Sequence, residues 1–343
     1  MGKINDIIEI LATELAAGKY PVGSRFPSEY DLAERFDTGR VTVNKAVSHL
    51  VTLGKLERGA RGSGTRVKAQ TIYPKSRVVF LGSFVHMFCA TLLQGVMTAA
   101  SFRDYGVEIA MPGQEELPKF LDKICRSGQY AGIVTHDAAT LDHDRWPLPT
   151  VYIDTCNPTY NPDCYHVANN NFDGARLLAK AVIDRGHHDV VIYTNCDYLT
   201  THRYYRVKGF LHALEQAGLD RIAERLFIGM TYSAFDAATM LKKIRRSFPL
   251  STVILTPTDD LAVEMARVLR REKINDMHVT GFGNVPGISD AYNLASTDQH
   301  PFHLGTDACN LLLDIYEQKP GLKPHVQYVD VEPVNLEALP FMH

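Results

Sequence analysis

Residues 27–68 read PSEYDLAERFDTGRVTVNKAVSHLVTLGKLERGARGSGTRVK and predict two short helices, a tight turn and a glycine-rich hairpin, in that order. Ser28 can cap the helix that follows it, and apolar residues recur at helical spacing on both sides of the turn at 37–39. The second helix, about 40–53, presents polar residues at its N-terminal end. This is helix-turn-helix geometry, although plain helical hairpins share the pattern.

The flanking segments extend this pattern to a small domain. Upstream, apolar residues from Ile4 to Leu15 recur at helical spacing and predict an amphipathic helix over 3–17. Downstream, two strand-like pieces flank the tip 59–64, where the glycines allow close approach to a phosphate backbone while Arg61 projects. Residues 1–68 are therefore predicted to form a winged helix-turn-helix domain.

The charge is distributed unevenly along the chain. Residues 37–68 hold seven Lys and Arg against two acidic residues, a net charge of +5, whereas the whole chain is −3 and the remainder is therefore −8. Affinity for DNA depends on local charge, so the segment is typical of a phosphate-binding surface. A solvated basic surface without a partner is the alternative.

Residues 5–68 resemble the GntR family of bacterial regulators through FPSEYDLAERF and GRVTVNKAVSHLVTLGKLERGARGSGTRV. The resemblance implies that Arg40 contacts DNA, whereas Tyr30 and Asn44 stand where many members have arginine, so the operator sequence should differ. Arg40 could pair with a guanine and Asn44 with an adenine, or either could contact phosphate. The predicted DNA-binding residues are Ser28, Glu29, Tyr30, Arg40, Thr42, Asn44, Lys45, Arg61 and Gly62.

After a linker at 69–76, the rest of the chain is predicted to be an α/β domain. Short β-rich runs such as RVVFLG (77–82), AGIVTH (131–136) and DVVIYT (189–194) alternate with helical stretches, which implies parallel sheets buried on both faces. About 270 residues exceed one doubly wound sheet, so two lobes with a cleft are expected. The predicted first lobe is 77–186 with 294–317, and the second is 187–293 with 318–343.

Ligands of such sheets bind beyond the carboxyl ends of the strands, which selects the segments near 83–88, 136, 154, 195, 259–260 and 284. The domain resembles the effector domain of LacI/GalR-type repressors, which have the periplasmic-sugar-binding-protein fold, through HVANNNFDGARLLAKAVIDRGHHDVVIYT, RVKGFLHAL, TPTDDLAVEMARVL and VTGFGN. A GntR-type head on this domain is similar to arabinose-repressor-like proteins. The resemblance implies that Arg206 and Asp259 grip the ligand.

A guanidinium fork, carboxylates and an aromatic face suit a polyol. Arg206 could instead form a surface ion pair, and Phe88 could belong to the core. Asn284 replaces an aspartate that is usual in the family, so the ligand itself stays open. The predicted effector-binding residues are Ser83, His86, Phe88, His136, Asp154, Arg206, Asp259, Asn284 and Gln299.

Composition excludes several other classes of protein. No stretch reaches the roughly 18–20 apolar residues of a membrane span, and MGKINDIIEIL lacks the apolar block of a signal peptide, so a cytoplasmic location is expected. The six cysteines form no C-x-x-C pair, and the adjacent His187 and His188 do not suit chelation, so no metal site is predicted.

The sequence thus predicts a homodimeric transcriptional repressor that binds double-stranded operator DNA and is released by a sugar, with a pentose such as arabinose as the first expectation. Two alternatives remain. One is an enzyme with a regulatory DNA-binding head, but no G-x-G-x-x-G or G-x-S-x-G motif supports catalysis, and no cofactor is expected. The other is a two-lobed solute-binding protein, against which the basic wing argues.

Overall fold

The computed structural model describes residues 3–16, 18–52, 54–59, 64–68, 76–83, 86–136, 140–154, 161–196, 199 and 202–342. The chain divides into two compact units, one within residues 1–75 and 101–105 and the other within 76–100 and 106–343. Apart from Ser76, the predicted linker lies outside the described residues. Across the described ranges, no helix combines the length and apolar character that crossing a bilayer requires.

The N-terminal unit consists of three helices and a hairpin. The helices α1 (Lys3–Ala16), α2 (Glu29–Arg35) and α3 (Arg40–Thr52) precede the antiparallel strands β1 (Leu56–Arg58) and β2 (Thr65–Val67). The segment before α2 also pairs with the hairpin, because Phe26 N–H donates to the Thr65 carbonyl at 2.8 Å. The predicted winged helix-turn-helix is confirmed, while the wing tip at 60–63 lies outside the described residues.

Sequence periodicity accounts for the core of this unit. Leu11 of α1, Leu32 of α2, and Val43 and Leu50 of α3 are each at most 1% exposed, and burying such side chains is the main source of stability in a small domain. The predicted cap is also confirmed: the Ser28 hydroxyl accepts from the Asp31 N–H at 3.2 Å, and the Asp31 carboxylate accepts from the Ser28 N–H at 3.0 Å. This capping box fixes where α2 begins.

The second unit alternates strands and helices along the chain. Its elements are, in order, β3 (Arg77–Leu81), α4 (Met87–Phe102), β4 (Gly106–Ala110), α5 (Leu117–Ser127), β5 (Tyr130–His136), β6 (Thr150–Ile153), β7 (Tyr165–Asn169), α6 (Asn171–Ile183), β8 (Val190–Asn195), α7 (Arg203–Gln216), β9 (Leu226–Gly229), α8 (Ala234–Ser247), β10 (Val253–Leu255), α9 (Asp259–Arg271), β11 (His278–Thr280), α10 (Ser289–Tyr292), β12 (Ser296–Asp298), α11 (Pro301–Tyr316), β13 (Val326–Val329) and β14 (Glu332–Val334).

Two parallel sheets organise these elements, as predicted. The first has the order β13-β7-β6-β5-β3-β4, and the second has the order β11-β10-β8-β9. A short antiparallel pair, β12 and β14, lies at the second sheet through bridges from Ala295 to Thr280 and from Asp298 to Gly283. We call the part around the six-stranded sheet the first lobe and the part around the four-stranded sheet the second lobe.

Strand β8 of the second sheet is covered on both faces. Along β8, Val190 and Ile192 pack into one apolar cluster, whereas Val191 and Tyr193 pack into another on the opposite face. Such two-sided burial explains the continuous apolar runs that the sequence shows. Helices α6 and α7 cover one face and cross closely, because a side chain at Gly209 would meet the Phe172 carbonyl at 2.2 Å.

Within the described residues, the chain passes between the lobes three times, at about 169–171, 298–301 and 329–332. The predicted lobe boundaries were wrong in three places. Helix α6 packs in the second lobe rather than the first, β12 also lies in the second lobe, and β13 pairs with β7 in the first lobe. The prediction assumed that an element covers the sheet of the strand before it, but the chain changes lobes directly after β7.

Candidate functional sites

The exposed end of α3 carries the sharpest DNA-binding candidates. Tyr30 is 65% exposed, and the Arg40 guanidinium lies 4.0 Å from the centre of its ring and donates to its hydroxyl at 2.8 Å. Tyr30 thus orients Arg40 by a cation–π contact and a hydrogen bond, although it stands where arginine was expected. The two predicted residues form one unit, a coupling that their separation in sequence did not reveal.

A second polar network connects α2, α3 and the wing. The Asn44 amide donates to the Glu29 carboxylate at 2.6 Å, and Arg58 of β1 donates to the Ser48 hydroxyl at 2.7 Å and lies 3.8 Å from Glu29. Asn44 is therefore held by Glu29, so a base contact by Asn44 requires this bond to be exchanged. Sequence reasoning missed Arg58 and Ser48; the basic character of the wing strand was the available signal.

The other predicted DNA-binding residues have simpler surroundings. Ser28 is exposed and caps α2, while Thr42 is half-buried and Lys45 is exposed on α3. Arg61 and Gly62 lie outside the described residues.

In the second unit, a cavity of about 220 Å³ opens between the two lobes. Its wall includes ends of strands and beginnings of helices, where parallel sheets commonly bind ligands. The lining residues are His86, Phe88, Cys89, His136, Asp154, His202, Arg203, Arg206, Tyr232, Thr258, Asp259, Asp260, Phe282, Gly283, Val285 and Gln299. We call this cavity the cleft.

Arg206, on α7, is the most firmly held cation of the cleft. It is 2% exposed, and its Nε donates to the Asn171 side-chain oxygen at 2.7 Å while a terminal nitrogen donates to the Pro257 carbonyl at 2.8 Å. Its guanidinium also lies 4.0 Å from the centre of the Phe282 ring. The alternative of a surface ion pair is wrong, because Arg206 is buried and two oxygens without formal charge accept these bonds.

Asp259 begins α9 and is 1% exposed. Its carboxylate accepts from the Val285 N–H at 2.8 Å and from the Ser296 hydroxyl at 2.7 Å, and burial raises its pKa above the ordinary value. A side chain at Gly281 would meet this carboxylate at 2.0 Å, so glycine is needed there. Asp259 therefore ties the loop after β11 to its helix as well as lining the cleft.

Asp154 and Gln299 stand where the lobes join. Asp154 directly follows β6, is 2% exposed, and has a φ of 47°, a left-handed conformation that aspartate tolerates better than most residues. Asp154 accepts from the Asn169 N–H at 3.2 Å and the Asn171 amide at 3.4 Å. The Gln299 amide donates to the Asn169 side-chain oxygen at 2.7 Å, and Asn169 donates to the Gln299 carbonyl at 2.9 Å.

The first lobe contributes His86, which precedes α4, Phe88 of α4 and His136 of β5 to the opposite wall. The rings of Phe88 and His136 lie 5.5 Å apart, and both are partly exposed to the cleft, so Phe88 is not a fully buried core residue. His86 of the first lobe lies 3.6 Å from the carboxylate of Asp260 in the second. This contact raises the pKa of His86, although burial opposes the shift.

Two predicted effector-binding residues are not among those that line the cleft. Ser83 is exposed, whereas Asn284 lines a neighbouring cavity of about 240 Å³ with Asp298 and His300. Asn284 has a φ of 47°, and its amide donates to Asp298 at 3.2 Å. Its backbone thus follows a tight turn that directs the side chain away from the cleft.

Sequence reasoning missed His202, Arg203 and Tyr232. His202 and Arg203 precede Arg206 by four and three residues, so all three share a face of α7, and this spacing was the available signal. Burial, with Arg206 and Arg203 nearby, holds the pKa of His202 well below its ordinary value. Within the described residues, the buried Nδ1 of His202 has no hydrogen-bond partner.

Of the two adjacent histidines, His187 belongs to the core and His188 is exposed. The two ring nitrogens of His187 lie 3.0 Å from the Thr252 hydroxyl and 2.9 Å from the Pro340 carbonyl. His187 is fully buried and packs the start of β8 against the C-terminal segment.

Comparison with protein-family models assigns the two units separately. Residues 3–67 match the bacterial regulatory proteins of the gntR family, and residues 179–335 match the periplasmic binding protein-like domain.

Two curated relatives are similar over most of the chain. The arabinose metabolism transcriptional repressor of Halalkalibacterium halodurans is 23% identical over 349 aligned positions, covering 92% of this chain and 90% of the relative. The sucrose operon repressor of Lactococcus lactis subsp. lactis is 26% identical over 238 aligned positions, covering 68% of this chain and 71% of the relative. The named relatives are transcriptional repressors rather than enzymes.

Solved structures share the fold. The transcriptional regulator CelR in complex with cellobiose has a TM-score of 0.65 at 17% identity, covering 90% of this chain and 98% of that one. A LacI family regulator from Enterococcus faecium with bound ribose has a TM-score of 0.61 at 18% identity, covering 75% of this chain and 96% of that one. The chain therefore joins an N-terminal domain of the bacterial gntR regulatory family to a periplasmic-binding-protein-like domain.

Proposed function

We propose that the protein is a sequence-specific transcriptional repressor whose hold on operator DNA is weakened by a sugar-like effector. One observation carries the proposal: a gntR-type DNA-binding domain and a two-lobed domain with buried, convergent polar groups in its cleft belong to one chain. The relatives named for arabinose and sucrose operons support the same conclusion.

On the DNA side, α3 enters the major groove with Arg40 as the principal base-reading residue. Arg40 and Lys45 are exposed at its surface, and Arg58 extends the basic surface toward the wing. Direct readout by α3 would require Arg40 to leave Tyr30 for a guanine, and Asn44 to leave Glu29 for an adenine. Ser28, Thr42, Arg61 and Gly62 supply contacts to the backbone.

On the effector side, the cleft offers what a polyol requires. Arg206 is an oriented guanidinium donor, Asp154 and Gln299 can exchange hydrogen bonds with hydroxyls, and Phe88 offers an aromatic face. The cavity of about 220 Å³ is small, so it suits a single sugar ring, and a pentose such as arabinose is the first candidate.

The link between the sites is closure of the lobes. A ligand that contacts Arg206 in the second lobe and Phe88 in the first is bound more tightly when the lobes are closed. In a homodimer bound to a two-fold operator, closure changes the spacing of the two winged helices and lowers DNA affinity, which is coupling between distinct sites.

Fluorescence anisotropy tests this function with the full chain and a labelled duplex from upstream of its own gene. We expect saturable binding that weakens steeply with salt, and a loss of affinity of about tenfold at saturating pentose. Arabinose, ribose, xylose, glucose and sucrose form the panel, and random duplex is the control. Absence of DNA binding would refute the proposal, and an affinity unchanged by every sugar would refute the sugar effector alone.

A further inference from the structure

A second cavity lies behind the cleft, where the chain passes between the lobes. It has a volume of about 310 Å³ and is lined by residues 169–172 from the first crossing, by Tyr328 just before the third, and by Tyr205 and Lys208 of α7. We call it the hinge cavity. No residue that lines it also lines the cleft, so the two are separate binding volumes.

The walls of the hinge cavity combine rings with polar groups. Phe172 and Tyr205 are partly buried in the second lobe, and Tyr328 is 55% exposed on the edge strand of the first lobe. Aromatic faces pack against the C–H face of a sugar ring, and tyrosine hydroxyls with neighbouring amides exchange hydrogen bonds with its hydroxyls. The volume is at the lower end of ligand pockets, which suits a single ring.

Lys208 adds one positive charge to this wall. Its ammonium is exposed and lies 5.1 Å from the centre of the Tyr204 ring, and no carboxylate among the described residues pairs with it. The carboxylate of Asp173, in the first turn of α6, accepts from the Asn170 amide at 3.1 Å and pairs with Arg176 at 3.0 Å. The N-terminal end of α6 at Asn170 further favours an anion.

The floor of the hinge cavity is also the support of the cleft. Asn169 exchanges two hydrogen bonds with Gln299, and Asn171 accepts from Arg206 and donates to Asp154. Both asparagines are at most 3% exposed, so their side chains cannot move without disturbing these partners. A molecule in the hinge cavity would therefore bias the positions of three residues of the cleft.

We propose that the hinge cavity is a second ligand site, which binds a monosaccharide phosphate and modulates ligand binding in the cleft. The ring stacks between Tyr205 and Tyr328, and the phosphate pairs with Lys208. Because the cavity touches both lobes, its ligand favours one angle between them. Coupling between two sites is reciprocal, so the ligand of the hinge cavity changes the affinity of the cleft by the same factor by which the cleft ligand changes the affinity of the hinge cavity. The binding of a sugar phosphate in the hinge cavity does not depend on the function of the cleft. Only the modulation rests on the proposed effector function of the cleft.

Isothermal titration calorimetry on the full chain tests the binding. The probes are glucose 6-phosphate, fructose 6-phosphate and ribose 5-phosphate, with glucose and inorganic phosphate as separate arms. We expect saturable binding of at least one sugar phosphate, and a loss of about tenfold or more in Lys208→Gln, because a charge-assisted contact is removed. Lys242→Gln, an exposed lysine on α8, is the matched control and should bind like the parent.

Variants separate this site from the cleft. Tyr328→Ala should weaken binding, whereas Arg271→Ala, an exposed residue of α9 that does not line the hinge cavity, should leave it within about threefold. Failure of all three sugar phosphates to bind overturns the proposal, as does binding that Lys208→Gln and Tyr328→Ala both leave unchanged. Binding of inorganic phosphate alone, with equal affinity, would overturn the assignment of a sugar ring.

Discussion

The DNA-binding surface and the cleft hold their polar residues in opposite ways. On the DNA-binding surface, Arg40 of α3 and Tyr30 of α2 pair with each other where water can replace either partner. In the cleft, Arg206 and Asp259 are at most 2% exposed and are fixed by partners from distant parts of the chain. The surface can thus exchange its contacts for DNA at small cost, whereas the cleft is organised before its ligand arrives.

This contrast decides what a substitution does. Removing a buried donor leaves its acceptors without partners and costs stability as well as binding, whereas removing an exposed side chain costs only the contact with the ligand. The two regions should therefore be distinguishable by measuring folding and binding on the same variants.

The largest effect is expected at Arg206. Arg206→Ala leaves the Asn171 side-chain oxygen and the Pro257 carbonyl without their donor, so we expect a loss of about 100-fold or more in effector affinity and a lower melting temperature of the second unit. Calorimetric titration with the active sugar and thermal unfolding of the same sample measure the two effects. Full response to the sugar in this variant would remove Arg206 from the effector site.

The matched comparison is Arg203→Ala, three residues earlier on the same face of α7. Arg203 is less buried than Arg206, so its loss should weaken the effector with a smaller change in stability. Equal losses of stability in Arg203→Ala and Arg206→Ala would contradict the expectation that Arg206 is held more firmly than Arg203.

Substitution of Arg40 should have a smaller effect, which is confined to DNA binding. Arg40→Ala should lower operator affinity by about 10- to 100-fold and reduce discrimination against random duplex, because a bidentate base contact is lost. The melting temperature should be unchanged, since Arg40 is exposed. Fluorescence anisotropy with operator and random duplex measures the DNA affinity, and calorimetry measures the melting temperature. Arg271→Ala, exposed on α9, is the control and should bind DNA normally.

The smallest effect concerns pH. Asp260 raises the pKa of His86, so the contact between the lobes is fully present below the ordinary histidine pKa and is lost as pH rises through the raised value. If closure accompanies binding, effector affinity should be a few-fold higher at pH 6 than at pH 8. Titrations at both values, repeated on His86→Gln, measure this. Effector affinity should depend less on pH in the His86→Gln variant. An unchanged pH dependence in this variant would exclude His86 as the origin of the effect.

Local sequence patterns carried much of the prediction. The cap at Ser28 and the buried face of α3 follow from spacing within one helix, because each depends on residues close in the chain. The strand-end rule selected Asp154 and Asp259, which line the cleft. It also selected Asn284, which has a left-handed backbone conformation and lines a neighbouring cavity.

The lobe boundaries could not be read in the same way. Strands β7, β12, β13 and β14 are three to five residues long, and an apolar run of that length does not say which sheet it joins. The crossing after β7 depends on α6 packing against β8 and α7, contacts that only the folded chain brings together. The hinge cavity, which those crossings create, was for this reason invisible in the sequence.

The sequence by itself determined a basic winged helix followed by parallel α/β units, because capping, helical spacing and buried strands are encoded over short distances. Only the tertiary structure decided which residues meet: that Tyr30 holds Arg40, that Asn171 links Arg206 to Asp154, and that His86 faces Asp260 across the cleft. These contacts join residues far apart in the chain, and their geometry depends on how sheets and helices pack in three dimensions.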